Sequence, residues 1–288
     1  MNDTPLIVYI GCTASGKSAA ALQETERIGG EIISCDSMQF YRDLPIGTAQ
    51  PSPEERAKVR HHLVGTLELH QRMTVADYCF LAERAVSEVR ARGKVPILCG
   101  GTGLYVKSFI CGMDELPADV ELRKKLDAEY DSESGEAALV AEMAKLDPAA
   151  LEKWRSCRRK LIRAMEVRLV SGKSILELQS GRSERRFPCC VRLIERDSEV
   201  LKSRIRARAQ LMLDAGWIEE AEAAIKNGLL ETPTAHQALG YKIIAQYLNG
   251  EFDRQTLLER LSVATWQYAR RQRTWFRHQA PFPDEIIG

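Results

Sequence analysis

The sequence predicts an α/β fold: a parallel sheet covered by helices, carrying a small all-helical insertion. Three observations lead there. Short apolar runs alternate with helical periods in the first third of the chain, which implies parallel strands with helices on both faces. The first run leads directly into a glycine-rich loop that opens a helix. Between Pro117 and Pro188 no strand-like run occurs, and helical segments with charged outer faces follow one another.

The elements follow in order. Residues 6–10 read as a buried strand and 17–28 as its helix. A second strand, 31–35, ends at Asp36. Residues 75–92 form a helix stopped by Gly93, and strand 95–99 runs into Gly100-Gly101-Thr102-Gly103. Residues 119–130, 137–146 and 149–170 are expected as helices. Residues 191–194 return the chain to the sheet, 200–227 form one long helical region containing Gly216, and 257–277 the last helix. The chain thus divides into a core at 1–116, a helical insertion at 117–187, and a core completion with C-terminal helices at 188–288. In such folds functional groups gather beyond the C-terminal strand ends. Residues 15–18, 36–39 and 100–102 all fall there.

Composition narrows the class. The 41 Lys and Arg against 40 Asp and Glu give a net charge of +1, so global charge selects no partner. Arginine clusters in the C-terminal half carry more information. The eight cysteines form no Cys-x-x-Cys pair, which excludes a zinc ribbon or a disulfide framework and suits a reduced compartment. Residues 6–10 are too short for a secretory segment, and no run approaches the ~20 apolar residues that span a bilayer. A soluble cytoplasmic protein is expected.

Residues 11–18, Gly-Cys-Thr-Ala-Ser-Gly-Lys-Ser, form a P-loop, which makes the expected core P-loop nucleoside-triphosphatase-like. The glycines let backbone N–H groups converge on phosphoryl oxygens, and the following helix adds its N-terminal field. Lys17 neutralises phosphate charge and the Ser18 hydroxyl suits Mg²⁺. Asp36 can take a proton or bind Mg²⁺, and Ser37 and Gln39 can hydrogen-bond a polar substrate edge. The same four residues, 36–39, also suit an Asx turn or helix cap. Arg42 and Thr48 stand in loops able to touch a substrate. His61-His62 lacks metal-ligand spacing and reads as a structural pair. Thr102 can contact a diphosphate, orient an acceptor or cap a helix. The strand before it lacks a terminal Asp, which weakens an ATPase or kinase reading.

Arg158, Arg159, Lys160 and Arg163 lie in the insertion, followed by Arg182, Arg185 and Arg186. They can track a polyphosphate backbone or lace a solvated helix face. Arg204 and Arg208 share a helix face that excludes Arg206. The run 266–277 interleaves aromatics with Arg270, Arg271, Arg273 and Arg277, a pattern that stacks bases and holds phosphates or anchors a helix.

Taken together these segments closely resemble the tRNA dimethylallyltransferases, also called tRNA isopentenyltransferases, of the bacterial type. The matches are 11–18, Asp36-Ser-Met-Gln-Phe-Tyr-Arg42, Ile46-Gly-Thr-Ala49, His61-His-Leu63, Gly100-Gly-Thr-Gly-Leu-Tyr105, Arg163-Ala-Met-Glu-Val167, Gly240-Tyr241 and Arg270-Arg-Gln-Arg-Thr-Trp-Phe276, in family order. The resemblance implies transfer of a dimethylallyl group from dimethylallyl diphosphate to N6 of adenosine-37 in tRNA. It implies Mg²⁺ as cofactor, held at Ser18, and a P-loop (Gly11, Cys12, Thr13, Ala14, Ser15, Gly16, Lys17, Ser18) that binds the donor's diphosphate rather than ATP. Asp36 matches the general base, with Thr102 and Arg208 stabilising the departing diphosphate. The tRNA anticodon stem-loop would be held by Asp36, Ser37, Met38, Gln39, Arg42, Arg159, Lys160, Arg163, Arg270 and Arg273. The enzyme is expected to be a monomer that makes no membrane contact.

Departures from the family pattern are Cys12 for proline, Ser18 for threonine, Gln50 for lysine, Ser156-Cys157 for Asn-Asp, Lys160 for arginine and Trp266 for a basic residue. No zinc-finger module is expected after the last helix, as in the compact bacterial form of the family. The competing enzyme is a P-loop kinase of a small metabolite, with Asp36 serving a substrate hydroxyl. The non-enzymatic alternative is an RNA-binding P-loop module.

Overall fold

The computed structural model describes residues 5–179, 181, 184–279 and 283–288. Among them, six strands form one parallel sheet: β1 (Leu6–Gly11), β2 (Glu31–Ser34), β3 (His61–His62), β4 (Pro96–Gly100), β5 (Cys189–Ile194) and β6 (Glu285–Ile287). Their spatial order is β3-β2-β4-β1-β5-β6. Ile7 pairs with Ile97 on one side of β1 and with Cys190 on the other. β2 and β4 are buried along their whole length, as strands covered on both faces must be.

The chain divides into two compact units, Met1–Cys111 with Arg185–Gly288, and Gly112–Glu184. In the first, α1 (Lys17–Ile28), α2 (Pro53–Lys58), α3 (Val75–Ala91) and α4 (Gly103–Cys111) accompany the first four strands. Ser52 and Glu55 close a capping box on α2, and Thr74 and Asp77 another on α3. Phe40, Tyr78, Tyr105 and Phe109 join one core cluster, with the rings of Tyr78 and Tyr105 stacked at 4.6 Å.

The second unit holds α5 (Val120–Glu129), α6 (Glu133–Leu146), α7 (Pro148–Trp154), α8 (Arg158–Ser171) and α9 (Ile175–Leu178). Its core gathers Leu126, Leu139, Met143, Leu161, Ile162 and Met165. Back in the first unit come α10 (Ser198–Asp214), α11 (Trp217–Lys226), α12 (Tyr241–Leu248) and α13 (Arg254–Gln279).

Two expected helices are each a pair. Gly216 adopts φ 99°, which breaks the 200–227 region into α10 and α11. The 149–170 segment breaks at residues 155–157, and Cys157 leads into α8. The His61-His62 pair forms edge strand β3, and His62 Nε2 lies 2.6 Å from the Glu31 carboxylate. Glu31 is 1% exposed. Arg92 donates to both of its oxygens, at 3.0 and 2.6 Å, and Lys94 Nζ lies 3.5 Å away. Burial raises the Glu31 pKa, but the hydrogen bonds from Arg92 and His62 outweigh it and hold the carboxyl at about 2.

Candidate active site

The P-loop turns between β1 and α1 because three residues adopt conformations few side chains tolerate. Gly11 takes φ 155°, Ala14 φ 61° and Gly16 φ 101°. A Cβ at Gly11 would stand 2.7 Å from Ile194 O and 2.8 Å from Ser15 Oγ. The loop is then pinned from outside. Arg204 Nε on α10 donates to Ala14 O at 2.8 Å. Gln272 Oε1 on α13 accepts from Thr13 N–H at 2.8 Å. Cys12 and Ala14 pack against Leu201, Ile205 and Ala269 of the same two helices. Lys17 Nζ is 3.3 Å from Cys12 O.

A cavity of about 500 Å³ opens beside this loop. Lys17, Ser18, Asp36, Gln39, Arg204 and Arg208 are among the residues that line it. Half-buried Arg208 is pushed below its ordinary pKa by burial, with the Asp36 charge opposing and Arg204 adding to the shift. Tyr268 is pushed up by burial and then by Asp36. Cys99, also on the wall, is raised to about 11 by burial, against the Lys17 charge and a hydrogen bond with Ser18.

The residues around Asp36 hold one another. Asp36 Oδ1 accepts from Met38 N–H at 3.0 Å, an Asx turn. Thr102 Oγ1 accepts from Ser37 N–H at 3.0 Å, and Thr102 N–H donates to Cys35 O at 3.2 Å. Thr102 is thus tied to the Asp36 turn. Gln39 accepts from Ser34 Oγ at 2.8 Å and donates to Ala49 O at 2.8 Å. Gln50, the departure from lysine, donates to Gln39 O and Tyr41 O and accepts from Arg56. Met38 packs with Ile46 on the cluster around Trp217 and Tyr241. Glu220 holds the next loop, accepting from Ile46 N–H at 2.6 Å, Gly47 N–H at 2.8 Å and Tyr241 Oη at 2.6 Å.

The basic residues separate into two kinds. Arg42, Arg159, Lys160 and Arg270 are exposed. Arg163 donates to Pro117 O and Leu116 O and pairs with Glu166 at 2.8 Å, so its guanidinium is committed within the helical unit. Arg158 is likewise turned to Tyr130 O and Asp127 O. Arg273 donates to Ser198 Oγ at 2.9 Å. Arg182 lies outside the described residues.

Two groups that sequence reading left without a role stand in this site. Gln272 sat inside a quoted motif, but its two partners are 259 and 171 residues away, and no local pattern names them. Glu220 lies on an amphipathic helix like any surface glutamate; only the adjacent Gly47 packing reveals its task.

Residues able to take an anion are present. Ser15 Oγ is buried without a hydrogen-bond partner in the loop that leads into α1. No group of three His, Cys, Asp or Glu side chains capable of holding a metal occurs among the described residues. Ser18 with Asp36 in the cavity fits Mg²⁺ only in the way that cation usually binds, with phosphate oxygens and water supplying most ligands.

Fold and site define a class, a P-loop α/β transferase whose phosphate-type loop and carboxylate turn line one cavity. Comparison with known proteins makes it specific. The IPP transferase family model matches residues 39–279. A tRNA dimethylallyltransferase of Geobacter sulfurreducens is 41% identical over 283 residues, 95% of this chain and 89% of the relative. That of Kocuria rhizophila is 39% identical over 274 residues, 94% and 86% of the two chains. The crystal structure of the full-length tRNA isopentenylpyrophosphate transferase from Bacillus halodurans superposes with a TM-score of 0.70 at 32% identity, covering 99% of this chain and 89% of that one. A eukaryotic dimethylallyltransferase solved acting on tRNA shares the fold, with a TM-score of 0.78 at 24% identity over 94% and 69% of the chains. The chain belongs to the IPP transferase family, that of the tRNA dimethylallyltransferases, and is a prenyltransferase. These relatives favour the transferase expectation over the small-metabolite kinase. No helix among the described residues is long and apolar enough to cross a membrane.

Proposed function

We propose that the enzyme transfers the dimethylallyl group of dimethylallyl diphosphate to N6 of adenosine-37 in tRNA and releases diphosphate. The observation that carries this reading is the single cavity walled by Lys17 and Ser18, Asp36, and Arg208. A leaving-group cradle and a proton acceptor lining one space are what an allylic transfer to an amine requires. The bond from N6 to C1 of the allyl group forms as the C1–O bond breaks. The electron pair leaves on the diphosphate, and the N6 proton passes to Asp36.

Lys17, the α1 N-terminus and Arg208 stabilise the charge that grows on the leaving oxygens. Bound Mg²⁺ would neutralise part of that charge, and Ser18 would hold it. Thr102 acts through Ser37, fixing the turn that carries Asp36. A flipped adenine would enter this cavity beside Asp36 and Thr48. Gln39 shapes the cavity with an amide already satisfied by Ser34 and Ala49. Exposed Arg42, Arg270, Arg159 and Lys160 would meet tRNA phosphates, whereas Arg163 and Arg273 serve the protein's own structure.

The enzyme is read as a monomer, and the eight free cysteines suit a reducing cytoplasm. The test is mass spectrometry of unmodified tRNA after incubation with the enzyme, Mg²⁺ and dimethylallyl diphosphate. A dimethylallyl gain at adenosine-37 is expected. No gain, with a control enzyme active on the same tRNA, would sink the reading.

A further inference from the structure

Helix α13 carries one buried polar group that the chemistry above does not use. Gln272 is 7% exposed. Its Oε1 accepts from Thr13 N–H at 2.8 Å and its Nε2 donates to Gly101 O at 2.9 Å. Thr13 belongs to the P-loop. Gly101 begins the turn whose next residue, Thr102, accepts from Ser37 N–H. Ser37 follows Asp36, and Asp36 closes its own turn on Met38 N–H. A single side-chain amide therefore stands between the loop read as the leaving-group cradle and the turn that carries the proton acceptor.

The arrangement is built around this amide. Both partners are main-chain groups, so they move only if the loop or the turn moves. A Cβ at Gly101 would lie 2.5 Å from Gln272 Nε2, so the glycine admits the amide. One face of α13 holds it in place. Ala269 packs with Cys12 and Ala14, Trp275 lies where a Cβ on Gly103 would meet its ring at 2.1 Å, and Phe276 is buried in the main core. The opposite face exposes Arg270, Arg271 and Arg277. Thr13 N–H is also withdrawn from any bound phosphate, which leaves the cradle to the N–H groups that follow it.

We infer that Gln272 is a positioning residue for group transfer: it fixes the distance between the P-loop and the Asp36 turn, and so between leaving group and proton acceptor. The inference rests on the function proposed above. A displacement of about 1 Å in such a site costs on the order of 10²-fold in rate.

Gln272→Leu removes both hydrogen bonds. Gln272→Glu can make both only while its carboxyl is protonated, since a carboxylate cannot donate to Gly101 O. Full-length wild type and both variants are assayed for dimethylallyl transfer to unmodified tRNA across pH, well below their melting temperatures. Rates are normalised to folded protein. For Gln272→Leu, kcat should fall about 10- to 100-fold, with KM for tRNA changed less than about two-fold because the exposed arginines are untouched. The kcat of Gln272→Glu relative to wild type should rise as pH falls, while that of Gln272→Leu stays flat. A residue that merely stabilises the fold would produce neither the kcat-against-KM split nor the pH rescue. An unchanged kcat for Gln272→Leu, or a pH-independent Gln272→Glu ratio, overturns this inference alone. Absence of transfer by the wild type overturns the function reading and this inference with it.

Discussion

The cavity of the sheet-containing unit and the core of the helical unit use charged side chains in opposite ways. In the sheet-containing unit, Arg204, Arg208 and Asp36 line one cavity, Asp36 with one oxygen held by its own turn. In the helical unit, Arg123 and Arg163 close on Glu166, which is fully buried and also accepts from Asp119 N–H at 2.8 Å. Burial raises the Glu166 pKa, but the hydrogen bonds from Arg123 and Arg163 outweigh it and leave the carboxyl below its usual range. The sequences of the two regions look alike in arginine content. The difference teaches that an arginine cluster identifies a binding surface only after the guanidiniums turned inward have been set aside. In the 158–163 cluster that leaves Arg159 and Lys160, with Lys160 5.8 Å from the Trp154 ring.

The sharpest break between the units comes at Asp36. Asn at this position keeps an oxygen for Met38 N–H but cannot take a proton. Asp36→Asn should lower transfer by about 10²- to 10⁴-fold, with melting temperature and tRNA affinity near wild type. An equal loss of tRNA binding would remove Asp36 from the role of base.

The matching change in the helical unit should act on stability and hardly on chemistry. Glu166→Ala leaves two guanidiniums and a main-chain N–H without their acceptor, at a cost of about 2–4 kcal/mol. Urea unfolding would read the loss, and a cost below about 0.5 kcal/mol, the scale of an ordinary surface change, would show that Glu166 does not organise the unit.

Glu31 extends the comparison to pH. Its carboxyl titrates at about 2 when folded, below the 4.5 of an unperturbed group. It therefore contributes stability that is complete above pH ~4.5 and is lost as pH falls toward 2, a total of about 2 kcal/mol after screening of its partly exposed partners. The stability gap between wild type and Glu31→Gln should be constant near neutrality and narrow through this window. A gap that does not narrow would mean that the paired charge contributes nothing.

The smallest effects belong to the exposed cations. Arg159→Ala and Lys160→Ala should each weaken tRNA binding modestly and reduce the salt slope of log K by about 1. The committed Arg163, replaced by alanine, should instead lower the melting temperature. Reversed outcomes would redraw the interface.

How much of this was legible in the sequence depends on how far apart the partners lie. The P-loop, the Asp36 turn and the Gly100–Thr102 turn are local patterns next to apolar runs, and they lie at the strand ends where an α/β sheet puts them. Two- and three-residue edge strands such as β3 and β6 carry too few residues for a period-2 signal. The break at Gly216 was visible as a residue but not as a positive φ. Whether Arg163 faces outward or toward Pro117 O is decided by a segment 46 residues away. Gln272 and Glu220 were hidden for the same reason.

The point where the helical unit leaves the core has a consequence for how such proteins diversify. Arg186 N–H donates to Ile110 O at 2.8 Å, so the chain departs and returns at neighbouring positions. To the sheet, residues 112–184 are simply a closed excursion from one spot. The entropic cost of closing such an excursion grows only with the logarithm of its length. Such a segment can therefore be lengthened, shortened or replaced without reopening the sheet.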